Sequence, residues 1–260
     1  MLSEPIIRLA AFGLVLAGLA SWEFLHPKRP RSAARRARWP ANLTLVILNT
    51  ALVRVVFPLG AAGVALWAAQ KGWGLFNVVA APQWLAFAIS LLLLDLAIYA
   101  QHVAFHHVPL LWRLHRVHHA DLDVDVTTGV RFHPLEILLS MAIKVVAVLT
   151  IGAPALSVVV FEIVLNATSM FNHANVGIPA GLEPALRSIV VTPDMHRVHH
   201  SVHRDETDSN FGFNLSWWDR LFRTYRAEPR DRQETMAFGL PQYRDVLRLG
   251  RILVLPVERT

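Results

Sequence analysis

His115-Arg116-Val117-His118-His119 recurs letter for letter at His196-Arg197-Val198-His199-His200, and the reading of this repeat decides the fold. A helix advances roughly 100° per residue, so histidines at i, i+3 and i+4 share one face. His115, His118 and His119 form one such face, and His196, His199 and His200 a second. Upstream, His102 and His106 stand at i and i+4, which also aligns two side chains. Neutral imidazole is the commonest side-chain metal ligand, and one ion takes about four to six protein ligands. Eight aligned imidazoles therefore point to two ions. A lone histidine is more often a hydrogen-bonded bystander, the reading taken for His26, His107 and His203. That reading does not extend to the cluster, because 12 of the 13 histidines lie between His102 and His203. They are interleaved with Trp, Leu, Val and Arg, which excludes a low-complexity histidine tract.

The surroundings of the repeat are those of a membrane protein. Hydrophobic residues make up 54% of the 260 and charged residues only 17%, where soluble domains carry about 25%; mean hydropathy is +0.39. There is no cysteine, so disulfides, iron–sulfur clusters, thiolate-ligated haem and Cys-type zinc sites are excluded. The formal net charge of +6 is mostly arginine. In an apolar chain such an excess marks cytoplasmic loops and anionic headgroups, and no motif for reading nucleic acid is present.

Residues 6–20 fit a signal peptide or a first membrane helix. The helix is favoured, since Trp22-Glu23-Phe24 is a poor cleavage site and the basic run follows the apolar stretch. That run, from Lys28-Arg29-Pro30-Arg31 to Arg35-Arg36-Ala37-Arg38, belongs in the cytoplasm by the positive-inside rule. Two further spans are expected at about 43–69 and 84–100, joined by Lys71-Gly72-Trp73-Gly74. Arg54 and Pro58 lie inside the first, which is longer than one crossing needs and so begins at the interface or tilts. The chain then returns to the cytoplasmic side where the histidines begin. Val108-Pro109 starts the helix bearing the first triplet, Ala120 to Gly129 reads as a polar loop, and 137–171 reads as a hairpin broken at Gly152-Ala153-Pro154. Thr192-Pro193-Asp194 caps the helix bearing the second triplet. The expected fold is all-α and integral to the membrane, with about four transmembrane helices under a cytosolic helical cap that holds a histidine-rich dimetal site. The expected divisions are 1–83 (membrane helices and basic loop), 84–225 (catalytic domain) and 226–260 (an Arg- and Glu-rich cytosolic tail).

Several motifs in fixed order carry a family resemblance. They are Asp95-x3-Tyr99-x2-His102-x3-His106, then Pro109-Leu110-Leu111-Trp112-Arg113-x-His115-x2-His118-His119, then Arg131-Phe132-His133-Pro134-Leu135-Glu136. Asn172-His173-Ala174-Asn175 and Thr192-x3-His196-x2-His199-His200-Ser201 follow, and Asn210-Phe211-Gly212 and Trp218-Asp219-Arg220-Leu221-Phe222-x-Thr224-Tyr225 close the set. From about Leu91 to Tyr225 the chain resembles the fatty acid hydroxylase/sterol desaturase superfamily of integral-membrane di-iron enzymes. The resemblance implies two iron ions, replaceable by zinc in purified protein, on His102, His106, His115, His118, His119, His173, His196, His199 and His200. At His133 the ligand reading stands even with that of a braced loop histidine. Val103 and Arg223 depart from the family pattern, which has Arg and Gly there, without removing a ligand.

Chemistry supports the same expectation. Attack on an unactivated C–H bond requires a redox metal, and two ferrous ions can share the electrons of O–O cleavage. The Glu-x-x-His pattern of soluble di-iron bundles is absent. Asp95, Glu136 and Asp194, with Asp121 and Asp219, are placed to orient imidazole N–H groups or to cap helices. A site on the cytoplasmic face over apolar helices would receive a lipid, whether fatty acyl, sterol or carotenoid-like, and use O2 to hydroxylate or desaturate it. No haem-binding His-Pro-Gly-Gly stretch or Gly-rich flavin fingerprint occurs, so a separate electron-donor protein is expected. The alternative is a histidine-rich metal-binding or metal-transport membrane protein without oxygenase activity. It is disfavoured because transport ligands sit at the midplane of broken helices. A membrane zinc hydrolase would need His-Glu-x-x-His, which is missing.

Overall fold

The computed structural model describes residues 4–244 and 248–258. In chain order its helices are α1 (Glu4–Leu25), α2 (Arg35–Val56), α3 (Gly60–Lys71), α4 (Leu75–Val78), α5 (Gln83–His107) and α6 (Pro109–His119), followed by a 3₁₀ turn (Thr128–Val130). After them come α7 (Pro134–Ile151), α8 (Ala155–His173), α9 (Glu183–Arg187), α10 (Pro193–His199), α11 (Arg204–Thr207), α12 (Trp217–Leu221) and α13 (Leu249–Val254). The described residues form no strand, only isolated bridges at Pro27–Val176, Val190–Leu215 and Ser201–Phe238. Among the described residues, five stretches are long and apolar enough to cross a bilayer: 4–25, 35–78, 83–107, 134–151 and 155–173.

The second of these is where the structure refines the sequence reading. Its helix starts eight residues before the expected 43, at Arg35, and breaks at Pro58. The N–H of Phe57 still reaches the Val53 carbonyl at 2.8 Å, but proline has no N–H to donate, and Gly60 restarts the helix with φ of +60°. The two halves run the same way along α7. Arg38 and Asn42 sit beside the 121–128 loop, Asn49 donates to the Phe132 carbonyl, and Gly74 lies against Gly152 at the opposite end. The segment is thus one kinked crossing whose first turns rise out of the bilayer into the cap.

Contacts fix the direction of every span. Arg8 meets Glu162 while Glu23 accepts from the N–H of Asn175, so α1 runs parallel to α8. The C-termini of α1, α5 and α8 and the N-termini of α2 and α7 consequently gather at one end, where the cap sits. Below it, Leu94, Ile98, Val148, Phe161 and Phe213 form an apolar core between α3, α5, α7 and α8. The hairpin's only charges, Lys144 and Glu162, pair at 2.7 Å, and Arg8 reaches Glu162 at 2.8 Å, so the carboxylate is neutralised from two helices.

Candidate metal centre

Each histidine reaches the cap on an element whose start is written locally. Val108-Pro109 places proline at the first position of α6, and the Thr192 side chain accepts the Met195 N–H to cap α10. His102 and His106 lie on the last two turns of α5, and His173 closes α8. Nine rings converge as two groups: His102, His106, His115, His119 and His199 in one, His118, His173, His196 and His200 in the other. Within each group the donor atoms all lie within 4.8 Å of one another. The repeated pentapeptides are shared between the groups in a reciprocal way. The first gives its i,i+4 pair, His115 and His119, to the five-membered group and His118 to the other; the second gives His196 and His200 to the four-membered group and His199 to the first.

The ring nitrogens show what such a cluster can hold. Nδ1 of His102, His173 and His199 faces the carbonyl oxygens of Phe211, Ser169 and Ser209 at 2.7, 2.6 and 2.7 Å. A carbonyl only accepts, so each Nδ1 carries the hydrogen and each Nε2 presents a lone pair inward. His173 Nε2 then meets Nε2 of His118, His200 and His196 at 3.0, 3.0 and 3.1 Å. One lone pair cannot accept from three donors at once. In the other group His102 Nε2 faces His115 Nε2 at 3.1 Å, and Nε2 of His106, His119 and His199 is buried with no hydrogen-bond partner. Converging lone pairs without protons between them call for cations, and two groups of neutral imidazoles fit two transition-metal ions. The rings are also kept neutral: burial drives His115 down to about 3 and His118, His119, His196, His199 and His200 well below the usual imidazole range.

Of the carboxylates expected to orient rings, Glu136 touches one, its Oε1 lying 2.6 Å from His115 Nδ1. Asp95 instead accepts from the Trp218 indole N–H at 2.8 Å and the Leu215 N–H at 3.2 Å, tying the cap to α5. Asp194 pairs with Arg197 and lies near Lys28, and Asp219 accepts from the N–H groups of Phe211 and Gly212, which positions the carbonyl that His102 uses. Asp121 belongs to a buried network with Arg38. Burial pushes its carboxyl up, but Arg38 and Arg131 outweigh that and hold it at about 2. His133 lies outside both groups: its Nδ1 accepts the Leu135 N–H as the cap of α7 and its Nε2 meets the Leu253 carbonyl. His107 bonds its own helix at Val103, His203 meets Asp231 at the surface and His26 is exposed.

Other carboxylates at the site stand in polar stretches whose spacing hides what they do. Asp208 lies 3.3 Å from His106 Nδ1, but in the run Arg204-Asp205-Glu206-Thr207-Asp208 no spacing separates it from the other acidic residues. Asp121, Asp123 and Asp125 look like solvated loop residues, yet each is 1% exposed. Phe132 stacks on His118 at 4.6 Å and Phe213 lies 4.9 Å from His102, so aromatic rings separate the histidines from the apolar core below.

Comparison with known proteins places these features in a family context. The family model described as fatty acid hydroxylase matches residues 87–224, which is more than half of the chain and includes all nine rings. An ornithine lipid hydroxylase of Rhizobium tropici is 30% identical over 183 residues, covering 69% of this chain and 53% of its own. A human alkylglycerol monooxygenase is 29% identical over 170 residues, 65% of this chain and 36% of its own. A cholesterol 25-hydroxylase of Rattus norvegicus is 27% identical over 146 residues, 56% of this chain and 48% of its own. The chain spans about half or less of the length of these relatives. No solved structure matches it.

Proposed function

The chain belongs to the fatty acid hydroxylase family, and from that premise we propose that it is an iron-dependent membrane oxygenase that hydroxylates a lipid with O2 and electrons from a separate protein. The observation that carries this reading is the convergence of nine neutral imidazoles in two groups. Hydroxylation is favoured over desaturation because the relatives named above are hydroxylases and monooxygenases. Two ferrous ions, one on His102, His106, His115, His119 and His199 and one on His118, His173, His196 and His200, would supply the electrons that activate O2. The balance is one C–H bond, one O2, two electrons and two protons in, and one alcohol and one water out.

The rest is the work of this chain's own groups. Glu136 fixes the rotation of the His115 ring, as Phe211, Ser169 and Ser209 do for His102, His173 and His199. Fixing Nδ1 outward keeps the Nε2 atoms of these four rings aimed at the centre. Phe132 and Phe213 line the side that faces the bundle and exclude water there. A lipid chain rising between the spans would meet these two rings before the histidines. The cytoplasmic face is inferred for the site, because the basic segment 28–38 lies at the same end as the cap: Arg29 donates to Met236 and Arg38 to Asp121.

The test is metal content followed by chemistry. Protein stripped with chelator and reconstituted with ferrous iron should bind two ions per chain and, given a reductant, place one atom of labelled O2 in a membrane lipid as a hydroxyl. Zinc should bind the same rings and give no product. One ion per chain after reconstitution, or two irons with no oxygen in any lipid of the source membrane, would refute the reading.

A further inference from the structure

The nine rings are walled off from water on nearly every side. Phe211, Ser169, Ser209 and Glu136, which take the outward nitrogens of His102, His173, His199 and His115, are themselves buried. His106 is different. Its Nδ1 faces Asp208, whose side chain keeps 24% of its surface open. The same ring lies 5.1 Å, centroid to centroid, from half-buried Trp112, and Trp112 lies 5.4 Å from His119. The Arg204 guanidinium covers the indole at 4.7 Å, binds Asp208 at 2.6 Å and donates to the His106 carbonyl at 3.0 Å, while its side chain is 56% exposed. At this corner one aromatic layer separates the five-histidine group from the aqueous surface. Other rings against the histidines do not offer that: Phe105, Phe211 and Phe213 are buried, and Phe132 packs toward the apolar core.

We propose that Trp112, under Arg204, is the electron entry port: the place where a one-electron carrier protein docks and passes charge to His106 and His119. The inference rests on the iron-dependent reading above. Each hydroxylation needs two electrons, so the carrier is oxidised twice by one electron each, and the two protons come from water. Electron transfer falls exponentially with separation, so a carrier seated over Phe211, Ser169, Ser209 or Glu136 must cross a layer of buried protein. An indole in contact with two of the ligand rings shortens the gap. Arg204, exposed and already aligned over the ring, offers a cation to a carboxylate at the carrier's edge. Trp112 is therefore assigned as a relay and contact residue rather than a ligand.

The absence of cysteine from the sequence makes a direct test available, since a single introduced thiol takes a ruthenium polypyridyl photoreductant at one place. His107→Cys puts the label beside the port, and Thr235→Cys puts it on another exposed part of the cap. In iron-loaded protein with ascorbate as the sacrificial donor, each flash delivers one electron, and reduction of the ferric centre is followed by absorbance. Trp112→Leu should slow reduction from the His107→Cys label by an order of magnitude or more and leave reduction from the Thr235→Cys label unchanged; Trp112→Phe should stay near the parent rate. Equal rates with and without the indole would overturn the port. Dithionite titration of the same samples gives the reducible iron, so loss of folding or metal is seen separately; should Trp112→Leu lose iron, Trp112→Met replaces it at similar volume. If dithionite reduces no metal even in the parent protein, the iron-dependent reading fails and takes the port with it.

Discussion

His118 and His199, the middle histidines of the two triplets, cross to the group that takes the other triplet's pair, so each links the two halves of the centre. Alanine at either is expected to lose bound iron and product together. His26→Ala and His107→Ala are expected to keep both, since these side chains lie outside both groups; the measurement is iron per chain in one membrane preparation of all four variants. Burial also makes a pH prediction. The unfolded chain's imidazoles protonate below about pH 6.5, whereas burial holds the folded His115, His118, His119, His196, His199 and His200 well below that. The unfolded state then binds more protons, so stability is present above that pH and is lost as pH falls. The unfolding midpoint of metal-free protein in detergent should drop steadily between pH 7 and pH 5; a flat profile would contradict the burial. Arg223 offers a gain in stability instead. It stands where the family pattern has Gly, and its φ of +61° is the reason glycine suits the position. Arg223→Gly should stabilise the fold by about 1 kcal/mol, read as a rise in thermal midpoint. The alignment of the rings was legible at this scale, because helix spacing sets a face. Their division into groups was not, because spacing within one helix says nothing about which face of another helix it meets.

At the scale of elements, the cap is held against the spans by features that a pattern of apolar residues hides. Arg38 is fully buried on the early turns of α2, with Asp121 Oδ1 at 2.6 Å, Asp125 Oδ2 at 2.7 Å and the Asp123 carbonyl at 2.7 Å. Removing one partner of a buried ion pair leaves the others uncompensated, which costs about 3–5 kcal/mol. Arg38→Ala should therefore release the 120–130 loop, which begins directly after His119, and lower metal retention along with stability; chelator-dependent loss of iron measures it. In the sequence this arginine is one of a run of basic residues and the aspartates belong to a polar loop, and no local pattern reveals a pairing that joins residues 83 or more apart. Gly129 is the second such feature. A Cβ there would fall 2.4 Å from the Ser169 carbonyl oxygen on α8, with backbone rather than a flexible side chain in the way. Ser169 is also the acceptor for His173. Gly129→Ala should cost about 1–3 kcal/mol as overpacking and displace His173, so that iron in the four-histidine group is lost before iron in the other. The helix starts, in contrast, were legible to the residue: proline at the first turn of α6 and Thr192 capping α10 act through neighbours in sequence.

For the whole molecule, the side of the membrane that the cap faces is separate from the order of the spans. The contacts order the spans without reference to it. α1 rises toward the cap, α2 and α3 descend as one kinked crossing, α5 rises, α7 descends and α8 rises, so all nine rings, the loop 26–34 and the segment after His173 share one end. The end holding Lys71 is the other. Two of the six basic residues in 28–38 are buried inside the protein, Arg29 at the Met236 carbonyl and Arg38 at Asp121 and Asp125, and so weigh less as a signal read by the membrane than the sequence count implies. Lys28, Arg31, Arg35 and Arg36 stay partly or fully exposed beside the end of α1, and four cations within a short loop still favour the cytoplasm. Reporter fusions at Arg36 and after Arg230 should therefore both read as cytoplasmic and a fusion at Lys71 as external. Because the two cap positions are tied by Arg29 and Asn175, they must agree with each other whichever side they report. Opposite readings at Arg36 and Arg230 would break the α7–α8 hairpin and the meeting of the two triplets with it. If instead all three positions invert together, the fold stands and only the charge argument falls.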